Sequence, residues 1–175
     1  MTDSILAILD LHTFSNIWYW LAVAVTWAVV SHWVLGIPFD LIIRARRSMP
    51  GAVDDLQTLF DFHVRRFIMI EDMAGIPIIA LSTFVLTGLA MTGFYYEVEM
   101  AQGIFLIGFP LTIVGAICQH ACRRYEQHPP APEDLVKELL RLRIIIQVVA
   151  MIAIFFTAIY GMYYNLSVPD DFLNG

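Results

Sequence analysis

Four stretches of this chain are almost purely apolar: residues 17–37, 73–94, 100–121 and 144–164, and none contains Asp, Glu, Lys or Arg. A membrane-crossing helix needs about 20 such residues. The pattern therefore predicts an all-α polytopic membrane protein with four transmembrane helices. The segments between the stretches are periodic. Val53, Leu56, Phe60, Val64 and Phe67 recur at helical spacing, with Asp54, Thr58, Asp61 and Arg65 on the opposite face and Asp61–Arg65 as an i,i+4 pair. Gly75-Ile76-Pro77 then predicts a break, because proline lacks the donor that the helix needs. After Pro129, Pro130 and Pro132, the residues Glu133, Lys137 and Arg141 run at i,i+4 spacing with no breaker before the fourth stretch. One helix over residues 133–164 would be about 48 Å long, so its first turns should project beyond the hydrocarbon.

These elements predict a single four-helix membrane domain over residues 1–175, with amphipathic helical extensions at 38–72 and 122–143. Residues 1–13 read as an outer interfacial segment with a short amphipathic helix at 4–9, and 165–175 as a polar outer tail.

Charge gives the orientation. All ten basic residues fall in two stretches. Arg44, Arg46, Arg47, Arg65 and Arg66 lie between the first and second apolar runs; Arg123, Arg124, Lys137, Arg141 and Arg143 lie between the third and fourth. The acids Asp3, Asp10, Glu97, Glu99, Asp170 and Asp171 lie at the other ends of the runs and account for the net charge of −6. Basic loops stay cytoplasmic. The expected location is a bacterial inner membrane, with both chain termini on the periplasmic side and the lipid bilayer as solvent. The first run lacks a basic n-region, so it does not read as a cleavable signal. A large polybasic surface for nucleic acid is absent.

Trp18, Tyr19, Trp20, Tyr95, Tyr96, Tyr163 and Tyr164 cluster at outer ends of the runs, and Trp33 near an inner end, where aromatic rings anchor to headgroups. Gly93-Phe94-Tyr95-Tyr96 and Gly161-Met162-Tyr163-Tyr164 close the second and fourth runs, and Arg46-Arg47 and Arg123-Arg124 follow the first and third. The halves thus resemble two repeated helical hairpins, on a short and degenerate match.

Candidate chemistry is sparse. Ionisable groups within spans mark ion paths and relays, and the only ones here are His32 and His120. They lie at similar predicted depth and could ligate a haem axially, against the plainer reading of interfacial histidines bonded to backbone or water. His12, His63 and His128 lie outside the spans and suggest only surface polarity. Cys118 and Cys122 share a helical face, but His120 points about 200° away from Cys118, so one helix cannot close a tetrahedral metal site with all three. Gln147 is expected to bond across helices. Ala153-Thr157-Gly161, Gly88-Thr92 and Ala24-Ala28 form small-residue faces for close packing, within the bundle or against another subunit. Phosphate-binding glycine motifs, nucleophile elbows and His-Glu-x-x-His are missing, so nothing points to an enzyme, and no cofactor is expected.

The runs Phe14-Ser15-Asn16-Ile17-Trp18-Tyr19-Trp20, Ser31-His32-Trp33-Val34-Leu35-Gly36-Ile37-Pro38-Phe39-Asp40 and Arg44-Ala45-Arg46-Arg47 resemble a family of small bacterial membrane proteins labelled as a component of the Suf iron–sulfur assembly complex. The likeness is clearest over the first third of the chain. It implies the four-span topology and carries over no catalytic residue. The expected function is a non-catalytic accessory, assembly or scaffold subunit of an inner-membrane complex. The alternative is a homo-oligomeric cation channel lined by Ser82, Thr83, Thr87 and Thr92, or by Gln147, with Glu97 and Glu99 at its outer mouth. A haem-binding redox protein built on His32 and His120 is a third reading.

Overall fold

A computed structural model describes residues 13–167, without the side chains at 132, 133 and 167. The short helix expected at 4–9 and the end of the tail, 168–175, lie outside the described residues. The fold is all-α. A single 3-10 turn (Thr13–Ser15) leads into helix α1 (Ile17–His32). A two-residue ladder, β1 (Trp33–Val34) with β2 (Ile37–Pro38), precedes the short helix α2 (Phe39–Arg46). Helix α3 (Ala52–Ala90) ends in a π-helical turn, Met91–Tyr95. Helices α4 (Glu99–Gln127) and α5 (Pro132–Ser167) complete the chain.

Three helical segments are long and apolar enough to cross a membrane: Ala52–Tyr95, Glu99–Gln127 and Asp134–Leu166. The first apolar run does not give a helix of that length. α1 stops at His32 after 16 residues, about 24 Å at the usual rise, because the chain turns back on itself. Trp33 pairs with Pro38 and Val34 with Ile37 in an antiparallel register. Leu35 and Gly36 between them both have positive φ, 54° and 81°, the backbone of a tight hairpin turn. Gly36 is required twice over, since a Cβ there would also lie 2.7 Å from the His63 ring on α3. Apolar composition could not show this turn, because Val34 and Ile37 are apolar for another reason: both are fully buried. The connection from α1 to α3 thus holds a ladder and a helix that the short 128–131 connection from α4 to α5 lacks.

The predicted break at Gly75-Ile76-Pro77 does not occur; α3 runs through Pro77, and α4 likewise through Pro110. One missing donor costs a single rung. Opening the helix in apolar surroundings would leave several backbone groups unpaired, which costs more.

The core lies at the basic end of the bundle. Ile42 of α2, Leu56 of α3, Cys122 of α4, and Leu135, Leu139 and Ile146 of α5 are all buried and belong to one cluster. On α3 the buried stripe is Ala52, Leu56, Phe60, Val64 and Ile68, a strict four-residue repeat. It bypasses Phe67, which is exposed. Arg65 bonds through Nε to the backbone oxygen of Asp61 at 3.2 Å instead of to its carboxylate.

The acidic end is closed by Phe14, 1% exposed. Its ring meets Tyr19, Tyr160 and Tyr164 at 5.3–5.5 Å between centroids. Trp20 Nε1 donates to the Phe14 carbonyl at 3.0 Å, and Tyr19 Oη to the Gly103 carbonyl at 3.3 Å. Tyr19, Trp20 and Tyr164 therefore lock helices together, whereas Trp18, Trp33, Tyr95, Tyr96 and Tyr163 keep the exposure that anchors need.

Candidate functional site

The expected site residues disperse. His32 is exposed at the end of α1, with its ring edge-on to Trp33 at 6.0 Å. His120 is exposed on α4 and lines a groove toward α5 together with Arg124, Glu138 and Arg141. The residues lining that groove do not include His32. Among the described residues no three His, Cys, Asp or Glu side chains gather in a way that could hold a metal ion. Cys118 and Cys122 are free, buried thiols on one face of α4.

The polar residues considered for a pore lie on or near the uncovered side of α3. Thr83, Thr87 and Thr92 are exposed and Ser82 is half-buried. The Ser82 hydroxyl donates to the Ile78 carbonyl at 2.7 Å, and that of Thr92 to the Gly88 carbonyl at 2.8 Å. Both donors are thus satisfied by their own helix, an arrangement that lipid tolerates. Glu97 is exposed in the α3–α4 turn with φ of 57°. Glu99 turns inward, where Oε1 accepts the Phe14 N–H at 2.7 Å and pins the chain entry to α4. Gln147 is half-buried and forms no hydrogen bond to a described residue, contrary to the cross-helix bond expected of it.

The amide that does join elements is Gln102, 4% exposed. Its Nε2 donates to the Gly93 carbonyl in the π-turn at 2.7 Å. A π-turn leaves carbonyls off the regular ladder, and Gln102 supplies a partner for one of them. The sequence signal was available: a glutamine one turn into an apolar helix, directly after a Gly-containing turn.

The densest polar constellation is an ion-pair hub where α3 and α4 meet at the basic end. Arg123 Nε lies 2.9 Å from Glu71 Oε2, its NH2 group bonds Asp72, and its NH1 group reaches Glu126 at 3.4 Å. The hydrogen bonds to Asp72 and then Glu71 hold the guanidinium well above its ordinary range. It is therefore a fixed charge, unsuited to proton transfer. Three carboxylates around one cation leave net negative charge beside an open cavity of about 640 Å³ lined by Asp61, Arg65, Asp72, Tyr125 and Glu126. Burial pushes the Tyr125 phenol up to about 12, with the Glu138 charge adding to the effect. Neighbouring i and i+1 acids at the start of a span gave no hint of this pairing, because it joins positions about 50 residues apart.

Arg143 forms a different contact, its guanidinium carbon 3.2 Å from the Phe39 ring centroid. Burial lowers its pKa. This stack ties α2 to α5 without a carboxylate. None of these groups pairs a nucleophile with a base. The arrangement braces helices and presents charge at one end of the bundle. Comparison with family models, with characterised proteins and with solved structures yields no match to this chain.

Proposed function

We propose that the chain is a non-catalytic accessory, assembly or scaffold subunit of an inner-membrane complex. In this reading α1 crosses as a fourth, short span, the basic end faces the cytoplasm, and both termini lie on the periplasmic side, as the positive-inside rule requires. This is also the topology implied by the resemblance to the Suf-labelled membrane family.

One observation carries the proposal. In the most apolar 18-residue window of the Ala52–Tyr95 segment only 6% of residues are buried, against 28% in each of the other two spanning segments. The membrane half of α3 is largely bare, and its exposed surface includes small residues paired at four-residue spacing, Thr83 with Thr87 and Gly88 with Thr92. Nothing lies within 4 Å of a Cβ built on Gly88, and Ala80, Thr83, Thr87 and Thr92 are exposed on the same helix. Association between helices in lipid relies on close approach at such small residues. The rigid core at the basic end would then hold α3 upright for a partner helix.

Purification of the tagged full chain from native membranes in mild detergent, read by intact mass and co-purifying chains, tests this. A foreign chain at fixed stoichiometry, lost on Gly88→Leu, is the expected result. A clean homo-oligomer with no foreign chain would overturn the subunit reading and favour the channel.

A further inference from the structure

We infer that the seam between α4 and α5 is a binding site for an anionic phospholipid of the leaflet at the basic end. The groove there is lined by the apolar Ile117, Leu142 and Ile145 and by His120, Arg124, Glu138 and Arg141. Deeper along the same seam lies a second hollow of about 410 Å³, lined by Phe109, Ile113, Val149, Ile152 and Phe156 among other apolar residues. The two lie in line along one trough between the helices. On α4 the lining positions run 109, 113, 117, 120, 124, and on α5 they run 141, 145, 149, 152, 156. Steps of three and four keep each set on a single helical face.

The chemistry changes along the trough as a phospholipid does. From Ile145 to Phe156 the wall is apolar over about 16 Å at the helical rise, close to the roughly 15 Å depth of one leaflet. At its upper end the cations gather. Arg124 is 57% exposed and among the described residues its ion pair is with Glu138 at 3.9 Å, a weak and long contact. Arg141 is exposed and forms no ion pair or hydrogen bond with a described residue. His120 adds ring N–H capacity at the same level. Two guanidiniums and an imidazole against one carboxylate leave the mouth cationic. A basic pocket between spans directly above an apolar groove is the pattern that holds acidic lipid headgroups. Arginine suits a phosphate oxygen pair because its donors form a planar fork.

The test uses the full chain, delipidated in mild detergent, with phosphatidylglycerol or phosphatidylcholine added. Native mass spectrometry counts retained lipid, and thermal midpoint reports stabilisation. Phosphatidylglycerol should bind more tightly, and each of Arg124→Gln and Arg141→Gln should weaken it about fivefold, the pair about 30-fold. Both side chains are exposed, so these variants should keep the parental midpoint without lipid. Val149→Trp, filling the trough, should weaken both lipids together. Lys137→Gln, with a side chain 78% exposed and outside the groove, should change nothing. Equal affinity for the two lipids, or an unaltered affinity in the double arginine variant, would overturn the inference. So would an equal stabilisation by glycerol phosphate, which has the headgroup charge without the acyl chains.

Discussion

Two glycines near the end of α3 should respond to the same substitution in opposite directions. A Cβ on Gly93 would sit 2.9 Å from the backbone nitrogen of Gln102, 3.0 Å from its Cγ and 3.2 Å from the carbonyl carbon of Ala101. Two of these atoms are backbone and cannot rotate away, so overpacking should cost about 1–3 kcal/mol. Displacing Gln102 also strains its 2.7 Å bond to the Gly93 carbonyl, worth about 1 kcal/mol. Alanine gains about 0.8–1 kcal/mol over glycine in a helix. The balance for Gly93→Ala is about 1–3 kcal/mol of destabilisation. At about 2–4 °C per kcal/mol for a chain of this size, the midpoint should fall by several degrees. Gly88→Ala meets no atom within 4 Å and should stabilise by about 0.5–1 kcal/mol. Thermal unfolding in mild detergent can be followed with a thiol-reactive dye, because Cys118 and Cys122 are buried and free in the folded chain. The reasoning fails if both midpoints move the same way, or if Gly93→Ala leaves the midpoint unchanged.

The same assay should separate core from lipid-facing positions: Leu139→Ala, fully buried at the basic end, should cost about 2–5 kcal/mol, whereas Met151→Ala, 65% exposed, should stay within about 0.5 kcal/mol. His63 packs against Gly36, and burial, then Arg66, lowers its pKa from 6.5. Above that value both folded and unfolded chains hold a neutral ring. Below it the unfolded chain gains a proton that the folded chain resists, so stability should fall with pH, and His63→Gln should flatten that part of the profile. Gly88→Leu should leave the isolated chain folded while displacing a partner from α3, which size-exclusion mass would register as loss of the co-purifying chain.

The helical class, the three long apolar spans and the segregation of all cations at one end followed from composition and spacing, because lipid admits few backbone solutions and each long apolar run must close its own hydrogen bonds. The α5 helix was legible almost to its ends for the same reason. Local spacing failed wherever apolar character served burial by protein instead of exposure to lipid. Val34 and Ile37 read as the end of a span, yet they belong to a hairpin packed on α3. Tyr19, Trp20 and Tyr164 read as lipid anchors, yet they pack or hydrogen-bond about Phe14. Pro77 read as a break, yet it sits inside a continuous helix.

The candidate sites depended still more on tertiary structure. His32 and His120 looked paired because depth along a span is a one-dimensional quantity, whereas ligation needs two side chains to converge. Each lining stripe of the α4–α5 trough is visible as steps of three and four in the sequence, but only the packing of the two helices sets one stripe opposite the other. The sequence by itself determined which segments are helical and apolar and where the charge lies, since these are properties of each segment and its solvent. Only the tertiary structure decided which faces meet, how Arg123 joins Glu71 and Asp72, and that the membrane half of α3 remains bare, since these depend on contacts between residues far apart in the chain.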